Sequence, residues 1–365
     1  MKIAIIGTVG VPGRYGGFET LADNLVRYHA ETGREEELVV YCSSQSAAER
    51  PERYYRATLR YVPLNANGIQ SIPYDVLSML DATVRRTDVI LLLGVSGALF
   101  LPVLRLFSRA RIVTNIDGLE WQRDKWNRLA KRILRWSEAT AVRWSHLVIA
   151  DNQAIADHVH ATYGKPCAVV AYGGDHAVVN PTALGEESLL RGALPAQYAL
   201  GLCRIEPENN VHVILEAFGR LDMPLVFVGN WDSNGYGHEL RARYSDCSNI
   251  HLVGPIYEAG TLFAIRQGAQ LYVHGHSAGG TNPSLVEMMH FGCPVFAFDC
   301  AYNRYTTENK ARYFRTSKDL SAALCAMTAS DAARVGASMR EIARRRYTWA
   351  TIAQEYFAVF SERAG

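Results

Sequence analysis

Short runs rich in Val, Ile and Leu recur along this chain, each followed by an amphipathic segment, and that alternation restricts its fold more than any other feature. The runs show little alternation of apolar and polar residues, the pattern of strands covered on both faces. In the first half they predict strands at 2–7, 38–42, 58–62, 88–93, 110–115, 146–150 and 168–171, with helices at 18–31, 73–86, 122–143 and 152–162. Strands alternating with helices imply βαβ units and a parallel sheet. Across 172–197 the pattern gives way to a loop-like stretch with Gly, Asn and Pro. A second series then predicts strands at 198–202, 225–229, 250–253, 270–273 and 294–297, and helices at 209–220, 257–266, 283–291 and 317–327. The last 35 residues read as helix, broken at Tyr347–Trp349 before a final helix at 350–362. The fold class expected is α/β, with doubly wound domains at 1–172 and 173–346, and a terminal helix, 347–365, crossing back to the first. Ligands of such sheets sit at the carboxyl ends of the strands, so two domains predict a central cleft between two such ends.

Composition excludes several classes. A chain of 365 residues suggests two domains and allows three. Lys plus Arg number 38 against 36 Asp plus Glu, which does not fit a bulk nucleic-acid binder but leaves a local basic patch open. The seven cysteines are odd in number and none has CxxC spacing, which argues against a disulfide framework or zinc ribbon and fits a reducing cytoplasm. The opening MKIAIIGTVG reads as a first strand rather than a signal peptide. Val89–Leu104 is uncharged but short of a membrane span and contains Gly94, Gly97 and Pro102, so a buried strand, a turn and a packed helix explain it better.

The first strand runs into Gly7-Thr-Val-Gly10-Val-Pro-Gly13-Arg-Tyr-Gly16-Gly17-Phe-Glu19. Glycines let backbone amides approach a ligand, and the following helix start favours an anion. A dinucleotide fingerprint fits poorly, because the spacing is GxxGxxG and the second strand ends in Ser43-Ser44 with no acidic residue for a ribose. A plain tight turn and a diphosphate or sugar approached by the Gly16-Gly17 backbone both remain, the latter preferred.

In the second half, strand 198–202 ends in Cys203-Arg204-Ile-Glu206-Pro-Glu208-Asn209-Asn210. The fork of Arg204 suits two phosphate oxygens; an ion pair with Glu206 or Glu208 is the rival reading. Strand 270–273 leads into His274-Gly-His276-Ser-Ala-Gly279-Gly280-Thr281-Asn282-Pro283-Ser284-Leu-Val-Glu287. Thr281 or Asn282 suits a cap and Pro283 the first helical turn, leaving amides near Gly280–Pro283 to face phosphate. Glu287, one turn in, suits two ribose hydroxyls. If buried, it needs a ligand or a cation to satisfy it. His274 and His276 are expected on opposite faces and His158 and His160 to diverge, so neither pair predicts a metal. No two aspartates have DxD spacing. No cofactor is expected.

Between Trp121 and Trp144, a window of 24 positions, lie four of the six tryptophans and seven basic residues against two acidic ones. Trp121, Arg123, Lys125, Trp126 and Arg128 open this stretch. A basic amphipathic helix with Trp suits an anionic bilayer surface or an acceptor diphosphate. A helix packing its Trp face on the sheet accounts for the same pattern, whereas nucleic acid lacks any accompanying motif.

Together these strings resemble a family 4 glycosyltransferase with the two-Rossmann-domain GT-B architecture, over the whole chain. Gly16-Gly17-Phe18-Glu19 is similar to that family's GGxE loop, Tyr172-Gly-Gly-Asp175 to its interdomain hinge, and 279–287 to its Glu-x7-Glu segment. Gly7 through Thr20, Asp117-Gly-Leu-Glu120-Trp121, Arg204 through Asn210 and Gly279 through Glu287 resemble the rhamnosyltransferase-type subfamily with a DUF1972 amino-terminal domain. The resemblance implies an acceptor-binding first domain, a donor-binding second domain and retaining, metal-independent transfer from a nucleotide diphosphate. It suggests dTDP-L-rhamnose as donor and a lipid-diphosphate-linked saccharide as acceptor, in cell-surface polysaccharide assembly at the inner face of the cell membrane. Three departures stand out. Gly279 replaces the family's first Glu. Arg204 lacks the family's partner Lys, with Asn209 and Asn210 near that place. Asp117, with Glu120 as rival, stands where the family carries a catalytic His. A sugar-nucleotide epimerase and a non-catalytic nucleotide-sugar-binding protein are the alternatives.

Overall fold

The computed structural model describes residues 1–13, 16–46, 49–116, 118, 121, 127–178 and 194–362. The chain divides into two compact units, one of Met1–Ala171 with Trp349–Gly365 and one of Tyr172–Thr348.

The first unit contains β1 (Lys2–Ile6), β2 (Glu37–Ser43), β3 (Arg53–Tyr54), β4 (Ala57–Val62), β5 (Val89–Leu93), β6 (Arg111–Ile116), β7 (Leu147–Ala150) and β8 (Ala168–Val169). They form one sheet in the order β3-β4-β2-β1-β5-β6-β7-β8. Only the β3–β4 pair is antiparallel. Strand β5, Val-Ile-Leu-Leu-Leu, is buried at every position because helices cover both faces. The Gly17–Glu31 and Trp349–Ser361 helices meet through Tyr28, His29 and Phe357. After β5, short helices at Ala98–Phe100 and Leu101–Leu104 take up the rest of the uncharged stretch. Among the described residues no helix is long and apolar enough to cross a membrane.

The second unit contains β9 (Tyr198–Leu202), β10 (Leu225–Val228), β11 (Ile250–Val253), β12 (Ala269–His274), β13 (Val295–Phe298) and β14 (Arg312–Phe314). This sheet is parallel throughout, in the order β11-β10-β9-β12-β13-β14. Its core gathers Ile214, Leu215, Phe218, Phe227, Trp231 and Phe296. Both sheets are doubly wound. The chain starts at a central strand, builds one side, then returns to build the other, so the order reverses between β1 and β5 and between β9 and β12. Ligands of open α/β sheets bind at the carboxyl ends of such strand pairs.

Several elements differ from the sequence expectation. Edge strands β3 and β14 and the Gly235–Tyr244 and Ala301–Thr306 helices are additional. The described part of the expected 122–143 helix begins at Arg128, because Asn127 turns its side chain back to accept from the Ala130 amide, a favoured cap. The 209–220 helix is split by Asn210, whose φ of 49° ends a 3-10 turn at Pro207–Asn209 before the Val211–Phe218 helix.

Candidate nucleotide-diphosphate site

In the second unit the loops after β9 and β12 are tied together. Asn210 Nδ2 donates to Gly275 O at 2.9 Å, and Ser277 Oγ donates to Glu208 O at 2.8 Å. Gly275 lies so close to the first loop that an added Cβ would stand 2.2 Å from Asn209 O. Asn209 is buried, and its side-chain Nδ2 donates to Arg204 O at 2.7 Å, so it shapes the loop that carries the arginine. The Arg204 guanidinium is half exposed and only loosely paired, 3.8 Å from Glu206 Oε1. It is therefore available to an anionic ligand.

The Pro283–Phe291 helix follows β12, with Pro at its start and Asn282 in the capping position with extended backbone. The Asn282 side chain makes no cap hydrogen bond to the helix; its Oδ1 accepts from Ser284 Oγ at 3.1 Å. Gly279 has φ of 121° with open space around it, Gly280 is half-buried beside it, and Thr281 is buried. Amides at a helix start carry partial positive charge and suit phosphate.

Glu287 is buried, and the cation it requires is present. Arg266 pairs with Oε2, and His176 Nε2 stands 3.3 Å from Oε1. Burial raises its pKa, but Arg266 and His176 outweigh burial and leave the carboxyl below its ordinary value. Each carboxylate oxygen retains a lone pair beyond these partners, so ribose hydroxyls can still be accepted. Arg266 is 21 positions away, on the helix before β12, and no sequence spacing announces it.

The expected divergence of His274 and His276 is wrong. Their rings stack with centroids 4.3 Å apart and planes 12° apart. Strand β12 ends at His274, so the alternation of strand side chains does not extend through Gly275 to His276. Burial pushes the His274 pKa down to about 3, so this ring is neutral. Among the described residues no group of three His, Cys, Asp or Glu side chains is arranged to hold a metal ion.

In the first unit the glycine-rich turn lies at the carboxyl end of β1. Glu19 folds it back on the following helix: its Oε1 accepts from Val9 N at 2.8 Å and Thr8 Oγ1 at 3.2 Å. Gly16 has φ of 116° and no room for a Cβ against the Glu19 carboxylate, so only glycine fits. Gly17 begins the helix. Nearby, Asp75 is buried against Gly97, and desolvation, partly opposed by a backbone hydrogen bond at Gly97, pushes its pKa up to about 8.

Asp117, Glu120, Arg123, Lys125 and Trp126 lie outside the described residues. Trp121 is half-buried; its Nε1 donates to Glu138 Oε2 at 2.9 Å, and Arg135 lies 4.2 Å over its ring. Glu138 is buried and also accepts from the Tyr163 hydroxyl at 2.8 Å, an anchor that sequence reading missed. Arg128 is exposed at the first turn of its helix.

Residues 1–175 match the family described as a domain of unknown function, DUF1972. Similar solved structures extend over nearly the whole chain. Sucrose-phosphate synthase from Thermosynechococcus elongatus aligns over 98% of both chains with a TM-score of 0.81 at 15% identity. Anabaena HepE in complex with UDP-glucose aligns over 99% of both with 0.72 at 16%. The α,α-trehalose 6-phosphate synthase from Burkholderia multivorans aligns over 98% of this chain and 96% of its own with 0.72 at 14%. No curated protein matches in sequence. The fold is that of the GT-B glycosyltransferases, two parallel-sheet α/β domains.

Proposed function

We propose that this chain is a glycosyltransferase that takes its sugar from a nucleotide diphosphate held by the second unit. The observation that carries this reading is the half-exposed, loosely paired Arg204 at the carboxyl end of β9. Its loop is hydrogen-bonded to the loop that leads into the Pro283–Phe291 helix start. A guanidinium and helix amides at a strand-order reversal suit a diphosphate. Glu287, with Arg266 and His176 behind it, accepts the ribose hydroxyls, and Gly280, Thr281, Asn282 and Pro283 form the approach.

Transfer proceeds with retention and without metal. The acceptor hydroxyl oxygen bonds to the anomeric carbon on the face from which the diphosphate departs. The anomeric C–O bond breaks, and the departing phosphate oxygen takes the acceptor proton. Arg204 and the helix amides stabilise the charge that develops on the diphosphate. Asp117, or Glu120, orients the acceptor hydroxyl; Asp117→Asn should reduce turnover at least ~100-fold, the scale of general-base work. The donor is dTDP-L-rhamnose and the acceptor a lipid-diphosphate-linked saccharide at the cytoplasmic face of the membrane, contacted by Trp121, Arg123, Lys125, Trp126 and Arg128. HepE was solved with UDP and UDP-glucose, which favours a UDP-sugar as the second reading of the donor.

Thermal unfolding with a panel of nucleotides tests the proposal. A ligand at 100 times its Kd adds about 2.7 kcal/mol. Stabilisation by dTDP and dTDP-L-rhamnose exceeding that by UDP or NAD is the expected result. Stabilisation by UDP-sugars alone keeps the transferase and removes rhamnose; stabilisation by NAD alone overturns the reading. Arg204→Ala should weaken nucleotide affinity about tenfold to a hundredfold, the scale of a lost charge-assisted hydrogen bond.

A further inference from the structure

Two segments of the first unit pack together, and each presents large apolar side chains to solvent. The Ala98–Phe100 and Leu101–Leu104 helices lie against the Arg128–Trp144 helix. Leu101, Leu104 and Ala141 share one core, with Phe100 and Trp144 on its border, and Arg105 Nη1 donates to Trp144 O at 3.2 Å. On the outside, Leu106 is 84% exposed and Leu129 68% exposed. Leu99, Val103, Phe107, Ile133 and Trp136 are each more than a third exposed. Leu129, Ile133 and Trp136 follow one another at spacings of four and three, a single stripe opposite the buried Glu138, Ala141 and Val142.

Within these two segments the exposed charges have one sign. Arg128, Arg132, Arg135 and Arg143 are exposed on the longer helix, and Arg105 and Arg109 beside the shorter ones. Residues 98–109 contain no carboxylate, and the only one in 128–144, Glu138, is buried beneath Trp121 and Tyr163. Large apolar side chains exposed in number on two helices packed together mark an interaction site. A second copy packed on it about a two-fold axis would oppose these cations with their own counterparts. A lipid surface meets both demands: acyl and interfacial regions take the apolar stripe, and anionic head groups take the guanidinium groups.

We propose that the exposed face formed by residues 98–109 and the Leu129–Ile133–Trp136 stripe docks on an anionic lipid bilayer. This rests on the membrane-contact part of the proposed function and extends it to residues 98–109, whose first part the sequence pattern reads as a turn and a packed helix. It requires nothing of the sugar chemistry, because binding to vesicles needs neither donor nor acceptor.

Cosedimentation of the full chain with vesicles tests it, using phosphatidylcholine alone and with about 30% phosphatidylglycerol. The expected result is binding to the anionic vesicles at least tenfold tighter than to the neutral ones, lost near 0.5 M salt (about a 4 Å screening length). A Leu106→Glu/Leu129→Glu variant and an Arg132→Glu/Arg143→Glu variant should each bind at least tenfold more weakly, on the scale of about one lost apolar anchor or two lost cations. Both should keep the wild-type melting temperature and nucleotide response, which separates lost docking from misfolding. Equal binding to neutral vesicles, or wild-type binding by both variants, overturns the proposal. So does a concentration-dependent dimer that Leu106→Glu/Leu129→Glu abolishes while vesicles bind neither protein. Vesicle binding without any nucleotide response would sink the transferase reading and leave the docking face standing.

Discussion

Arg266 and His176 keep Glu287 ionised at a position where burial alone would favour its protonated form. Removing the arginine strands a buried carboxylate. Arg266→Met should therefore destabilise the second unit by about 3–5 kcal/mol, and Glu287→Gln on that background should recover part of the loss. Urea unfolding of the two variants checks this; an unchanged midpoint for Arg266→Met would mean the pair contributes nothing. The sign with pH follows from the depressed pKa. The folded state holds this proton more weakly than the unfolded chain, so the contribution is present above the ordinary carboxylate pKa and is lost as pH falls through the lower folded value. At this scale the sequence was half legible. A Glu one turn into a helix after a glycine loop can be recognised as buried chemistry, but its counter-ion comes from another helix, and pattern within one segment carries no information about it.

Elements were legible where burial on both faces writes a continuous apolar run, as in β5, β9 and β10. They were not where an element is short or lies at an edge. Strand β14 is three residues, two of them only half-buried, and reads as loop. The Gly235–Tyr244 helix opens Gly-Tyr-Gly and carries charges without an apolar stripe; its start is fixed by Asn234, whose side chain accepts from Gly237 N. The same limit applies to contacts between loops. Nothing in the string His274-Gly-His276 shows that Gly275 presses against Asn209, although that approach sets the spacing of the two loops. Gly275→Ala should cost about 1–3 kcal/mol, the range for overpacking, and weaken nucleotide binding by displacing the Arg204 loop. Gly254→Ala, where a Cβ meets open space, is the control. If both variants melt and bind alike, the loops are not held by this contact.

Among the buried titrating groups of the described residues, Asp75 and His274, one in each unit, have opposite consequences. Asp75 in the first unit has its pKa raised from 3.8 to about 8 by burial, so the folded state binds its proton more tightly than the unfolded chain. Stability from this group is complete below the unfolded value and declines as pH rises through the window up to 8. His274 in the second unit has its pKa lowered from 6.5 to about 3, again by burial, so here the unfolded chain holds the proton more tightly. Its contribution is complete above 6.5 and declines as pH falls toward 3. The slopes are therefore opposed, each at most about 1.4 kcal/mol per pH unit. Differences between variants and wild type isolate each group from the other titrating residues. Asp75→Asn should gain on the wild type as pH rises from 5 to 9, beyond its own folded value of about 8. His274→Phe should gain on it as pH falls from 7 to 4, a window spanning the unfolded 6.5 and approaching the folded value of about 3. Denaturant unfolding across that range reads both. A flat difference for Asp75→Asn would mean that this carboxyl ionises as readily folded as unfolded, and a flat difference for His274→Phe would mean the same of the imidazole. A pair of flat differences would remove the account of why the two units weaken at opposite ends of the pH scale.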